Sequence, residues 1–260
     1  MPHLLNVWPS ASQYLRDAHR VLLLFDYDGT LTPIVDRPSL ALLPSETKDL
    51  LLRLSRQEKF FVGVISGRSL KDVTAMVGID GLIYAGNHGL EIRGPGMDFI
   101  HPEASRLEGS VSQVYSHLQR GLAHLPGVSV ENKGLSLSVH YRLAPDGAAP
   151  EVEAAVAAAA GPLEESGQVK VTRGKKVVEV RPAVPWHKGK AISKLQATYS
   201  QASLPVFFGD DITDEDGFAA VQDSGGLAVF VGPERTPTRA LYRVDSPREV
   251  AETLRLMEQL

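Results

Sequence analysis

Apolar residues along this chain follow two rhythms. Near both ends they come in short unbroken runs, at residues 21–25, 60–65, 82–85, 205–208 and 227–231. Runs of this length, without a polar residue at every second position, predict strands buried on both faces. Between them the spacing turns helical. Leu50, Leu51 and Leu54 share a face behind Ser45, a fitting N-cap, and another helix is expected over about 69–76. Ser246, Pro247 and Glu249 have capping-box spacing ahead of a last helix that turns Val250, Leu254 and Met257 inward. Strands alternating with helices across short turns predict an α/β fold with a doubly wound, mostly parallel sheet.

The middle of the chain reads differently. A helix is expected over 105–120. Residues 128–130 and 135–139 then alternate with period two around a turn at Asn132-Lys133-Gly134. An Ala-rich helix over 151–160, closed by Gly161-Pro162, precedes a second hairpin at 169–171 and 177–180 around Gly174. The order αββαββ, with one face of each strand polar, predicts an antiparallel sheet open on one side. Residues 101–183 are therefore expected to form a domain inserted into a core built from 1–100 and 184–260. Residues 1–20 are a lead-in with little pattern of their own.

Composition narrows the field only a little. With 260 residues, 43% of them hydrophobic and 22% charged, the chain can bury a sizeable core in one or two domains. The net charge of -4 argues against nucleic-acid and anionic-membrane partners, which favour basic surfaces. The absence of cysteine excludes disulfides, thiolate zinc sites and a cysteine nucleophile, and agrees with a cytoplasmic enzyme. Neither a signal peptide nor a membrane-spanning run is expected.

The chemistry lies where the buried runs stop. The first ends in Phe25-Asp26-Tyr27-Asp28-Gly29-Thr30. Open α/β sheets bind ligands at the carboxyl ends of their strands. Two carboxylates there are costly to bury without a positive partner, and a divalent cation is a natural one. An Asx-turn closing the strand is the plain alternative. A later run ends in Gly209-Asp210-Asp211-Ile212-Thr213-Asp214-Glu215. This second acidic cluster suits Mg²⁺, which takes few carboxylates and keeps several waters. It also suits a helix start near Thr213, with Asp214 and Glu215 serving the dipole. Ser66 follows another run and opens a helix, where its hydroxyl and the next N–H groups could meet a phosphate oxygen, or simply make a turn. Lys188, in Trp186-His187-Lys188-Gly189-Lys190, would clamp a phosphoryl group electrostatically, or be solvated.

The four pieces D-x-D-G-T, S-G-R, K-G and G-D-D-x-T-D-E occur in an order that resembles the haloacid dehalogenase superfamily of phosphohydrolases. The αββαββ insertion is similar to the cap of its sugar-phosphatase branch. Within that branch the chain resembles the trehalose-6-phosphate phosphatases. Gly209-Asp210-Asp211-Ile212-Thr213-Asp214-Glu215-Asp216 with Phe218 carries the resemblance. So do Gly86-Asn87-His88-Gly89-Leu90-Glu91, Glu131-Asn132-Lys133 with His140-Tyr141-Arg142, and Gly174-Lys175 with Glu179-Val180-Arg181-Pro182.

The resemblance implies hydrolysis of trehalose 6-phosphate to trehalose and phosphate through an aspartyl-phosphate, with Mg²⁺ as cofactor. It implies Asp26 as nucleophile and Asp28 as acid and base, with Ser66 and Lys188 on the phosphoryl oxygens. Mg²⁺ would be held by Asp26, the Asp28 main-chain carbonyl and Asp210, with Asp211 and Asp214 orienting its waters. Arg68, Asn87, His88, Gly89, Glu131, Lys133, Arg142, Lys175 and Glu179 would bind substrate. Read by pattern alone, the charged cap residues are equally cross-strand ion pairs on a solvated face. Neither His88 nor His140 is assigned to a metal. A small-molecule sugar phosphate is the expected partner, with a trehalose-6-phosphate synthase in the pathway. Competing readings are a phosphatase for sucrose 6-phosphate or mannosyl-3-phosphoglycerate, a phosphoryl-transfer mutase, and a sugar-phosphate sensor without activity.

Overall fold

The computed structural model of the chain describes residues 1–145, 147–174, 176–199, 203–234 and 237–260. In chain order the elements begin with α1 (Trp8–Asp17), β1 (Arg20–Phe25), α2 (Ser45–Ser55), β2 (Phe60–Ile65) and α3 (Leu70–Val77). β3 (Ile83–Gly86), β4 (Glu91–Gly94) and β5 (Met97–Ile100) follow. Next come α4 (Pro102–Arg106), α5 (Glu108–Gly121), β6 (Ser129–Asn132), β7 (Leu137–His140), α6 (Ala148–Glu165), β8 (Val169–Gly174) and β9 (Val177–Pro182). The chain ends with α7 (Lys188–Tyr199), β10 (Ser203–Gly209), α8 (Glu215–Asp223), β11 (Leu227–Val231), β12 (Tyr242–Val244) and α9 (Pro247–Met257). These elements form two compact units: Met1–Phe99 with Trp186–Leu260, and Ile100–Pro185.

The first unit is built on an eight-stranded sheet in the order β12-β11-β10-β1-β2-β3-β4-β5. From β12 to β3 every pairing is parallel; β4 joins β3 antiparallel. Why β1 stands at the centre follows from its composition. Val21, Leu23 and Phe25 pack into one apolar cluster, with residues of α1, α2, α3 and α9. Leu22 and Leu24 pack into the other, with α7 and α8. Each of these five side chains is fully buried, so the unbroken run serves two cores at once. Parallel pairing of β10, β1 and β2 sets their carboxyl ends side by side, although β10 lies some 180 residues after β1. Where the chain leaves and re-enters this unit, the rings of Phe99 and Trp186 meet at 5.6 Å.

The second unit is a four-stranded antiparallel sheet, β6-β7-β9-β8. One face carries Leu137, Val139, Val178, Val180 and Val169 into a core with α5 and α6. The opposite face holds the polar positions of the same strands, as period-two alternation requires. Among the described residues, no helix of the chain is long and apolar enough to cross a membrane.

Several local expectations need correcting. Ser45 does not cap α2: it is the first helical residue, Pro44 stands at the cap position, and no side-chain cap bond forms. The Ala-rich helix does not stop at Gly161-Pro162; α6 runs on to Glu165 with Pro162 inside it. The proline is tolerated because Ala158, whose carbonyl loses its i+4 donor, lies on the solvent side. The helix expected over 105–120 is two helices, parted at Leu107, whose backbone (φ -92°, ψ 1°) leaves the α region. No capping box forms at Ser246: its side chain makes no cap bond, and the Glu249 carboxylate instead accepts from the Asp245 N–H at 2.6 Å. Finally, α1 and the strands β4 and β5 were not visible as patterns. The strands are short, and α1 buries only Ala11, Ser12 and Leu15.

Candidate active site

β1 delivers Asp26 and Asp28 to its carboxyl end, and the Asp26 N–H continues the sheet by donating to the Phe208 carbonyl at 2.8 Å. Beyond β10 the chain turns through a 3-10 segment, Ile212–Asp214, before α8. Asp214 is fully buried there. One of its oxygens accepts from the backbone N–H groups of Asp210 and Asp211, at 3.0 and 3.1 Å. Its other oxygen faces Lys188, the first residue of α7. The Lys188 ammonium, itself buried, donates to Asp214 at 2.5 Å and to Asp26 at 2.7 Å. The lysine is thus neither solvated nor spare. It ties β1 and the β10–α8 turn together from a third element.

Asp26, Asp210 and Asp214 bring carboxylate oxygens within 4.8 Å of one another, close enough to share a cation. Fully ionised, these three would exceed the single ammonium by two charges. Burial raises the Asp26 carboxyl to about 7, with Lys188 pulling down and Asp214 adding to the rise. Burial, then the charges of Asp26 and Asp214, push Asp210 up to about 9. Burial alone would lower the Lys188 ammonium, but Asp214 and Asp26 outweigh it and hold the group above the ordinary lysine range. Space is tight around this cluster. Gly29 sits at φ +86°, and a Cβ there would come within 2.1 Å of an Asp210 oxygen. Only glycine lets the turn after Asp28 pass so close to that carboxylate.

Asp28 is placed apart from the cluster. Its carboxylate accepts a two-pronged ion pair from Arg68, Nε to Oδ2 at 2.7 Å and Nη2 to Oδ1 at 2.6 Å. The same guanidinium donates to the Pro38 carbonyl at 2.9 Å and lies 5.4 Å from the centre of the Tyr27 ring. Ser66 follows β2, the neighbour of β1, and is buried. Its hydroxyl oxygen accepts from the Arg68 N–H at 3.1 Å, so it shapes a turn rather than opening a helix. Ser69 caps α3 instead, accepting from the Asp72 N–H. Asn87, His88 and Gly89 all adopt left-handed backbone conformations, unusual for the first two. They are fixed by Asn87 N–H to the Arg68 carbonyl at 2.7 Å and His88 N–H to the Ser66 carbonyl at 2.9 Å. Asp211 lies outside the buried group; it is exposed and its side chain caps Ile212 at 2.7 Å.

In the second unit, strand register aligns Glu131 with Ser138 and Ser138 with Glu179, one rank across three strands. Lys133 donates to Glu179 at 3.3 Å, and Arg181 lies 3.5 Å from the other oxygen of Glu179. His140 meets Glu131 at 2.8 Å. Arg142 is partly buried just beyond β7, and Lys175 lies outside the described residues. Arg181 escaped assignment from sequence, and Asp214, expected to orient metal-bound waters, is placed deeper than expected. Arg181 was signalled by its two-residue spacing from Glu179, which puts both on one face. The depth at which Asp214 is buried had no signal, because the turn holding it has no period.

The chain matches the trehalose-phosphatase family model over residues 24–248. It is 40% identical over 249 residues to a trehalose-phosphate phosphatase of Mycobacterium avium, covering 92% of this chain and 62% of that protein. It therefore spans less than two thirds of that relative's length. A structure of the C. albicans trehalose-6-phosphate phosphatase C-terminal domain superposes with a TM-score of 0.81 at 28% identity, covering 99% of this chain and 98% of that one. A haloacid dehalogenase-like hydrolase from Bacteroides thetaiotaomicron shares the fold, with a TM-score of 0.64 at 17% identity, over 92% of this chain and 99% of the other.

Proposed function

The chain belongs to the trehalose-phosphatase family, and from that premise we propose that it hydrolyses trehalose 6-phosphate to trehalose and phosphate. The observation that carries the reading is the buried Asp26–Lys188–Asp214 chain beside Asp210 at the adjoining ends of β1 and β10. It supplies a carboxylate nucleophile, a fixed cation and room for a second one. In the proposed reaction an Asp26 oxygen attacks phosphorus, the bond from phosphorus to the sugar oxygen breaks, and that oxygen takes a proton from Asp28. Water then attacks the phosphorus of the aspartyl-phosphate and returns a proton to Asp28. Phosphate leaves and Asp26 is restored. The Lys188 ammonium and the Ser66 hydroxyl are the groups placed to hold phosphoryl oxygens, Arg68 the group that aims Asp28.

The donor set also fits Mg²⁺: three hard carboxylates, short of two positive charges, with no nitrogen or sulfur among them. Asp26 and Asp210 would hold the ion, with Asp214 close by, and it would neutralise charge on the phosphoryl oxygens. In the second unit, Glu131, Lys133, Arg142 and Glu179, with Lys175, are the proposed readers of sugar hydroxyls, for which charged side chains are strong hydrogen-bond partners. Asn87, His88 and Gly89 are proposed to border the substrate. On this reading the protein works in the cytoplasm on the product of a trehalose-6-phosphate synthase. The test is phosphate release from trehalose 6-phosphate, sucrose 6-phosphate and mannosyl-3-phosphoglycerate, with Mg²⁺ and with EDTA. Faster release from either of the last two esters would move the substrate assignment. No release from any of them, with the protein folded and Mg²⁺ present, would overturn the enzymatic reading.

A further inference from the structure

A second concave site lies at the other end of the central sheet. A cavity of about 380 Å³ opens among the amino-terminal ends of β1 and β2, the end of α2 and the turn between β4 and β5. Phe61 and Pro95 present apolar surface to it, and the buried Phe60, Val62 and Ile83 back it from the core. Its volume is within the usual range for small-molecule sites. Arg20 and Asp26 are six residues apart along β1, so the cavity is about 20 Å from the nucleophile at a strand rise of ~3.3 Å per residue.

The charged lining is uneven. Arg20 and Arg56 both face the cavity, against a single acid, Glu58. Among the described residues neither arginine has a salt-bridge partner. Arg20 is nevertheless held in place, since its guanidinium lies 5.0 Å from the centre of the Phe61 ring. A stacked guanidinium keeps its edge donors directed outward and loses little freedom when they are used. Phe61 in turn packs against Tyr199 at 5.3 Å between ring centres. The buried Tyr199 hydroxyl, which lies against Gly94 next to Pro95 of the lining, has no hydrogen-bond partner among the described residues. Two unneutralised arginines over an aromatic and aliphatic floor match one kind of molecule, an anionic group on an apolar body.

We propose that this cavity is a second ligand site, which takes a small organic carboxylate or phosphate with its anion on Arg20 and Arg56 and its apolar body against Phe61 and Pro95. The site is independent of the reaction assigned to the catalytic cluster. The test is calorimetric titration of the Mg²⁺-supplied full chain with 2-naphthoate, 2-naphthylphosphonate and the neutral 2-naphthylmethanol. Both anions should bind, the alcohol about tenfold or more weaker. Whichever anion binds better tells a carboxylate ligand from a phosphate one. In the double variant Arg20→Met, Arg56→Gln, anion affinity should fall about tenfold or more, with the melting temperature and phosphate release unchanged. The exposed Arg56→Gln change alone should give part of that loss, which keeps the test open if the double variant folds poorly. Equal affinity of wild type and Arg56→Gln, or of anion and alcohol, or no binding of any probe, would overturn the proposal.

Discussion

Replacing Lys188 by Met would leave the Asp26 and Asp214 carboxylates facing each other without the ammonium that links them. All three groups are buried, with Lys188 3%, Asp26 6% and Asp214 0% exposed, so water offers little relief. Removing one member of a buried ionic group costs about 3–5 kcal/mol. The low end, about 3 kcal/mol, is expected here for two reasons. Asp214 keeps its two backbone N–H donors, and Asp26, already raised to about 7 beside the lysine, can take up a proton. That second escape makes the loss depend on pH. A carboxyl raised in the folded state contributes stability below its unfolded value near 4 and loses it as pH climbs through the folded one. Without Lys188 the folded value of Asp26 rises further, so the variant keeps a proton that wild type gives up as pH climbs past about 7. The deficit should therefore be smaller at pH 5, where only the Asp214 contact is lost, than at pH 8. The assay is urea unfolding of both proteins in EDTA at the two pH values. Adding Asp214→Asn to Lys188→Met should recover part of the deficit, because one orphaned charge goes with it. A loss below about 1 kcal/mol at pH 8, or an equal loss at both pH values, would show that the lysine does not neutralise this cluster.

Asp26→Asn should lower phosphate release by roughly 10³-fold or more while the protein still folds, as circular dichroism can check, since an amide is a poor nucleophile. In EDTA the wild type should lose stability as pH rises from about 4 to 9, because Asp26 and Asp210 are both raised in the fold; Mg²⁺ should restore most of it, and melting curves across that range test the sign. Gly29→Ala should weaken Mg²⁺ binding measured by calorimetry and cost about 1–3 kcal/mol of stability, since the new methyl meets Asp210 at a left-handed backbone position. Glu179→Ala should slow trehalose 6-phosphate hydrolysis about 10- to 100-fold but leave a small aryl phosphate nearly untouched, and comparing the two rates decides whether the second unit reads the sugar.

What the sequence made legible follows from what its patterns report. The run at 21–25 announces burial on both faces, and the structure divides its side chains between two cores. The acidic clusters were legible because polar residues stop apolar runs at strand ends. Which oxygen faces which partner was not, since those residues sit in turns, where spacing encodes no direction. Asp214 read either as a helix-dipole residue or as one orienting metal-bound waters, and its pairing with Lys188 in full burial had no signal. Asp28 looked like half of an acidic pair, yet its carboxylate is taken by Arg68, 40 positions away. Gly161-Pro162 misled because the usual cost of an interior proline is softened here by the exposure of Ala158, whose carbonyl can turn to water.

The meeting of Phe99 and Trp186 bears on how this architecture can change over time. Everything from Ile100 to Pro185 begins and returns at one spot on the first unit, so to the rest of the chain that stretch is a closed loop. Loop-closure entropy grows only with the logarithm of length, about 0.6 kcal/mol per doubling. Lengthening, shortening or exchanging the excursion therefore makes little difference to the fold that holds Asp26 and Lys188. A lineage can redraw its insertion while Asp26 and Lys188 stay where they are, and a protein engineer can do the same by grafting between these two aromatic rings.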